Sequence, residues 1–112
     1  MKPIYFDVDG CLNQTPQTPV FWFDPACLRR LLSLDRPLIC ISYWRHFPAE
    51  VAKLGIDCAL APRGPKIHAV PAGAFVIDDD RTAYAPDCFV YAPDGHVGLT
   101  DQDVIEIRGL LT

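Results

Sequence analysis

Residues 37–42 read Pro-Leu-Ile-Cys-Ile-Ser, a run that is apolar on consecutive positions rather than on alternate ones. A strand with water on one face alternates apolar and polar residues. A strand covered on both faces does not, and such strands belong to parallel sheets clad by helices. The run Ala74 to Ile77 has the same character, and Pro3 to Val8, Asp57 to Ala61 and Cys88 to Ala92 supply further short strands. Helical segments lie between them. Asp24-Pro25 is an N-cap followed by proline at the first helical position, and Leu28, Leu31 and Leu32 then share one face of a helix running to about Leu34. Pro48 to Leu54 is a short helix closed by Gly55. Lys66 to Val70 is one helical turn, and Thr100 opens a last helix with Asp103 placed for a capping box. Strands alternating with helices imply right-handed crossovers and a parallel sheet.

A chain of 112 residues, half of them hydrophobic, supports one domain, residues 1–112, with one core. The eleven prolines fall mostly between apolar runs and punctuate short elements. One excursion, residues 11–23, is rich in Pro, Thr and Gln and contains the aromatic run Val-Phe-Trp-Phe, which reads as a small hairpin or flap. The formal charge of −4 gives no overall electrostatic argument for a nucleic-acid or membrane surface. Cys11, Cys27, Cys40, Cys58 and Cys88 include no Cys-x-x-Cys pair and are odd in number, which argues against a disulfide framework or a zinc site and for a reducing cytoplasm. The N-terminus lacks the apolar stretch of a signal peptide, and no window approaches the roughly 20 apolar residues of a membrane-spanning helix.

In a sheet of this kind the ligand crevice lies at the carboxyl ends of the strands, near the point where strand order reverses. Asp7 ends the first strand, Ser42 the second, and Asp78-Asp79-Asp80 follow the fourth. Carboxylates gathered at one sheet rim repel one another unless a cation holds them. An all-oxygen donor set without histidine or thiolate selects a hard ion, Mg²⁺ above all. Asp7 and Asp79 are the preferred side-chain ligands. Asp9 alternates with Asp7 along the strand, which turns its side chain elsewhere and leaves its backbone carbonyl to the metal.

The segment Asp7-Val-Asp-Gly-Cys-Leu resembles the first signature of the haloacid dehalogenase superfamily: aspartate, any residue, aspartate, glycine, any residue, apolar residue. Ser42, ending Leu-Ile-Cys-Ile-Ser, resembles the Ser/Thr after the second strand. Lys66 is similar to the basic residue before the fourth strand, and Asp78-Asp79 to the acidic pair that ends it. Within that superfamily the chain resembles small capless members, including domains of multifunctional RNA-repair proteins. The later run Asp94-Gly-His-Val-Gly-Leu-Thr, followed by a helix, carries the same likeness.

The resemblance implies a three-layer, Rossmann-like α/β fold with a central, mostly parallel five-stranded sheet of order 3-2-1-4-5 and no cap domain. It also implies roles. Asp7 is the nucleophile that forms an aspartyl-phosphate, and Asp9 is the general acid and then base. Ser42 and the loop amides near Gly10 bind phosphoryl oxygens, and Lys66 offsets charge. Mg²⁺ is held by Asp7, Asp9, Asp78 and Asp79. Cys11 stands where threonine is common. Neither gap that receives a cap in larger relatives has room for one, so the site is expected to be open. An open site admits a phosphate on something large, such as a nucleotide or nucleic-acid end, and leaves space for a protein partner or a second copy of the chain to cover it. The competing expectation is a catalytically weak binding or regulatory module that works through a protein partner.

Arg45 is a further candidate for a substrate phosphate, and Trp44 is either a stacking surface for a base or a packing residue. Arg63 and Arg81 lie on expected rim loops. His68 and His96 have no partner pattern for a metal and read as structural or surface residues.

Overall fold

The computed structural model describes residues 2–16 and 20–112. Five parallel strands, β1 (Ile4–Phe6), β2 (Leu38–Cys40), β3 (Ala59–Leu60), β4 (Phe75–Ile77) and β5 (Phe89–Tyr91), form one sheet in the order β3-β2-β1-β4-β5. All pairings are parallel, so the expected order holds and the sheet is parallel throughout. The order reverses at β1, which pairs with β2 on one side and β4 on the other. Phe6 is level with both Cys40 and Ile77. The residues after Phe6, Cys40 and Ile77 therefore emerge together on one rim.

The helices are α1 (Pro25–Leu32), α2 (Pro48–Ala52), α3 (Lys66–Ala69) and α4 (Asp101–Leu111). The cap signals act as expected. Asp24 accepts the Ala26 N–H at 2.9 Å, with Pro25 beginning α1. Thr100 and Asp103 close a reciprocal capping box at the start of α4, with bonds of 2.8 and 3.1 Å. Arg30 joins the two helices by bonding Asp101 at 2.9 Å and the Leu99 carbonyl at 3.1 Å.

Alternation along each strand divides the core between the two faces of the sheet. Ile4, Phe6, Leu38, Cys40 and Ile77 point to the side filled by Cys27, Leu28 and Leu31 of α1, Val51 of α2, and Val104 and Ile107 of α4. Tyr5, Ile39, Val76 and Val90 point to the other side, where the cover is thin: Ala69 of α3, Ala61, Val70 and Tyr84. The four residues of α3 contribute only Ala69 to this layer, and loop residues such as Ala61, Val70 and Tyr84 supply the rest. That thin layer brings Lys66 and Tyr84 close to the sheet.

The sequence did not announce two 3₁₀ turns, Tyr43–His46 after β2 and Arg81–Ala83 after β4. Each is nucleated by a side chain at the strand exit. Ser42 Oγ accepts the Trp44 N–H at 3.2 Å, and Asp80 Oδ1 accepts the Thr82 N–H at 2.9 Å. In the excursion after β1, residues 11–16 and 20–23 form turns, bends and irregular chain rather than paired strands. The rest of the expected hairpin, residues 17–19, lies outside the described residues. Among the described residues no cap domain is inserted, and no helix is long and apolar enough to cross a membrane. All five cysteines are free thiols.

Candidate functional site

The sheet ladder continues one residue past β1 and β4 and fixes the acidic tips. The Asp7 N–H donates to the Ile77 carbonyl at 2.9 Å, and the Asp78 N–H donates to the Tyr91 carbonyl at 3.1 Å. Asp7, Asp78 and Asp79 consequently converge, each offering a carboxylate oxygen within 4.8 Å of the others. Among the described residues this is the one group of three or more potential metal ligands. Lys66 enters from the first position of α3. Its Nζ lies 2.7 Å from Asp78 Oδ2 and 3.5 Å from Asp7 Oδ2.

The acids are not equivalent. Asp78 is fully buried and both its oxygens are engaged. Oδ1 accepts the Asp80 N–H at 3.0 Å, and Oδ2 accepts from Lys66 and from the Tyr84 hydroxyl. Asp78 is thus the holder of Lys66 and Tyr84. Asp79 is partly exposed and rests in a slot between two glycines. A Cβ at Gly10 would collide with its carboxylate, and one at Gly95 would lie 2.5 Å from Asp79 Oδ2. Gly10 also has φ +84°, in the left-handed region that glycine tolerates. The loop bearing Gly95 is tied down by Thr15, whose N–H and hydroxyl donate to the Gly95 carbonyl at 2.8 and 2.9 Å.

Burial, then the neighbouring Asp78 charge, pushes the Asp7 carboxyl up to about 8, with Lys66 opposing. Burial and the contact with Asp78 push Asp79 up to about 6. Burial pulls the Lys66 ammonium down, but Asp7 and Asp78 outweigh it and the net shift is upward, so Lys66 stays charged. Burial, reinforced by the three acids, holds the Cys11 thiol well above its ordinary value, which removes it as a nucleophile. Three carboxylates face one lysine, and the all-oxygen donor set fits a hard divalent cation. Asp7 and Asp79 have the capacity to hold it, because Asp78 is already committed.

The other sequence candidates are placed differently. Asp9 is outside the carboxylate triad. Its Oδ1 accepts from Asn13 Nδ2 at 3.0 Å and from Trp44 Nε1 at 3.3 Å, so its side chain is turned away from the three metal-ligand candidates, as its alternation with Asp7 implied. The Gly10 N–H donates to Asn13 Oδ1 at 2.9 Å and so is not presented to a phosphate. Ser42 is fully buried and caps the 3₁₀ turn. Arg45 is 4% exposed, and its guanidinium is taken up by the carbonyls of Ile41, Ser42, Pro62 and Gly64. Arg45 therefore staples the segment before Lys66 to the β2 exit and does not reach out to a substrate. Trp44 is buried, so it packs rather than stacks a ligand. Asp80 turns away to cap Arg81–Ala83.

Three residues that complete the site were not singled out from sequence: Tyr84, Asn13 and Gly95. Tyr84 sits in an ordinary proline-flanked stretch with no signal. Asn13 follows Asp9 by four residues, and Gly95 lay within the Asp94-Gly-His-Val-Gly-Leu-Thr run quoted for the family likeness, but neither was given a role. Fold and site together define a small α/β protein with an acid–lysine cluster at the carboxyl rim of a parallel sheet, where the strand order reverses. No family model, curated protein or solved structure matches the chain.

Proposed function

We propose that this chain is a Mg²⁺-dependent phosphohydrolase of the capless haloacid dehalogenase type, acting on a nucleotide, a polynucleotide end or another large phosphomonoester. The observation that supports the reading is the meeting of Asp7, Asp78, Asp79 and Lys66 at the strand tips on either side of the order reversal. Asp7 attacks phosphorus through a carboxylate oxygen, and the ester oxygen leaves with a proton from Asp9. A water then attacks the aspartyl-phosphate, Asp9 takes its proton, and Asp7 is released with inorganic phosphate. Asn13 and Trp44 orient Asp9 for both transfers by donating to one of its oxygens. Lys66, anchored on Asp78, draws the Asp7 carboxyl toward the ionised form that attack requires. When bound by Asp7 and Asp79, Mg²⁺ supplies positive charge that neutralises the acids and the incoming phosphoryl group. The five free thiols fit a cytoplasmic setting.

Phosphate release from a panel of phosphomonoesters, with and without Mg²⁺, tests the proposal. Release is expected to require Mg²⁺ and to fall on the order of 10³-fold or more in Asp7→Asn. Equal rates for the two proteins would remove the covalent mechanism. A second reading has its own observation. Ser42 is buried, and the donors of Arg45 and of the Gly10 amide are spent on the protein itself, which leaves few groups to grip a phosphate. That pattern favours a weakly catalytic binding or regulatory module whose site is covered by a protein partner or a second copy. Mg²⁺ binding without turnover across the panel would select it.

A further inference from the structure

The exit of β2 carries a feature that phosphoryl chemistry does not use. Five rings from two loops meet there. Phe21 lies edge-on to Trp44 with centroids 5.3 Å apart, and edge-on to Phe47 at 5.2 Å. Tyr43 lies 5.4 Å from Phe47 and 5.3 Å from the His46 ring. Trp44 forms the buried floor, while Tyr43 is 63% exposed and Phe47 41% exposed. Two of these rings thus stand exposed side by side over a buried tryptophan, rather than singly on the surface. Phe21 is held at φ 60°, a left-handed conformation unfavourable for a bulky side chain. Strain of that kind persists where surrounding structure enforces it, and it clusters at functional sites.

The rings reach the site through their floor, at Asp9. Trp44 Nε1 donates to Asp9 Oδ1 at 3.3 Å, and Asp9 stands on the leaving-group side of the proposed reaction. The group attached to the departing oxygen therefore extends toward these rings. A sugar or polyol there would need partners for its hydroxyls, and Tyr43 and Phe47 offer one hydroxyl between them. A nucleobase needs only a ring to lie against. We infer that Tyr43 and Phe47 form a stacking platform for the base of a nucleotide whose terminal phosphate occupies the Asp7–Asp79 site. The inference rests on the phosphohydrolase reading for the fate of the phosphate, though not for the binding itself.

Equilibrium binding in Mg²⁺ to Asp9→Asn protein, which keeps both Asp7 and Asp79 and lacks the acid that releases the leaving group, provides the test. The ligands are a nucleoside 5′-monophosphate, ribose 5-phosphate and a short single-stranded oligonucleotide with a terminal phosphate. The nucleotide is expected to bind about tenfold more tightly than ribose 5-phosphate. Tyr43→Ala and Phe47→Ala should each reduce that preference, and Tyr43→Leu and Phe47→Leu should do so with packing kept. Tighter binding of the oligonucleotide than of the mononucleotide would assign the platform to strand ends, and equal binding to free nucleotides. Equal affinity for nucleotide and ribose phosphate, a preference that survives both leucine variants, or no binding of any ligand would each overturn the platform. Base-dependent binding with no phosphate release by the wild-type protein would keep the platform and remove the hydrolase. Release from glycerol phosphate without any base preference would do the reverse.

Discussion

The exits of β2 and β4 each bury a charge, and they neutralise it in different ways. At β2 the guanidinium of Arg45 is surrounded by four backbone carbonyls. At β4 the carboxylate of Asp78 is met by a lysine, a tyrosine hydroxyl and one backbone amide. Backbone carbonyls neither titrate nor leave, so Arg45 is a fixed staple. The carboxyls of Asp7 and Asp79 beside it, raised to about 8 and about 6, respond to pH and to an added cation, so this exit can change state. Equal burial therefore marks structure in one place and candidate chemistry in the other. The identity of the partners decides which.

Removing the staple should have the largest effect on stability. Arg45→Met leaves several buried carbonyls without donors and is expected to cost about 3 kcal/mol in denaturant unfolding, with or without Mg²⁺. Arg45→Lys should recover only part of the loss, because an ammonium cannot span the same fork of acceptors. A loss that Mg²⁺ reverses would mean that Arg45 belongs to the acid cluster after all.

The β4 side should instead show its character in pH dependence. The folded Asp7 value, about 8, lies above its unfolded value, and Asp79 is raised in the same direction. The folded state thus binds more protons than the unfolded state across this window. Stability without metal is therefore expected to be greatest near pH 4, to decline toward pH 8 and then to level off. Mg²⁺ binding should release protons, gain affinity across the same range and flatten the decline. Thermal unfolding between pH 4 and 9, with Mg²⁺ or with a chelator, measures both. A metal-free profile that rises with pH would show that the acids are already ionised in the fold.

The smallest effect is the most local. The Gly95 backbone is not in the left-handed region, so Gly95→Ala adds a methyl group without backbone strain, 2.5 Å from Asp79 Oδ2 and 3.2 Å from Thr15 Oγ1. Mg²⁺ affinity is expected to fall about tenfold, the size of change seen when a metal ligand loses its support. Unfolding free energy should move by less than about 1 kcal/mol. Titration calorimetry against the wild-type protein checks this, and unchanged affinity would mean that Asp79 does not hold the ion.

Much of the fold was legible because its signals are local. Asp24-Pro25 and the Thr100–Asp103 box state their helix starts within four residues, and consecutive apolar runs such as Leu38 to Cys40 mark doubly covered strands. The acids were legible because each sits one or two residues beyond such a run. The fate of Arg45 was not. An arginine after a strand-ending serine reads as an open phosphate clamp, and nothing nearby in sequence reveals that carbonyls from residues 62 and 64 will enclose it. Tyr84 and Gly95 were hidden for the same reason, since each meets its acid across a separate segment of chain.

The sequence by itself determined the alternation of strands and helices, the caps, and the presence of acids at the carboxyl ends of β1 and β4. Those features depend on backbone preference and hydrophobic periodicity within a few residues. Only the tertiary structure decided which acid is committed to lysine, which rests between glycines, and which cation is sealed away. Those outcomes depend on contacts between segments far apart in the chain, where burial makes each unsatisfied polar group costly and so selects one set of partners.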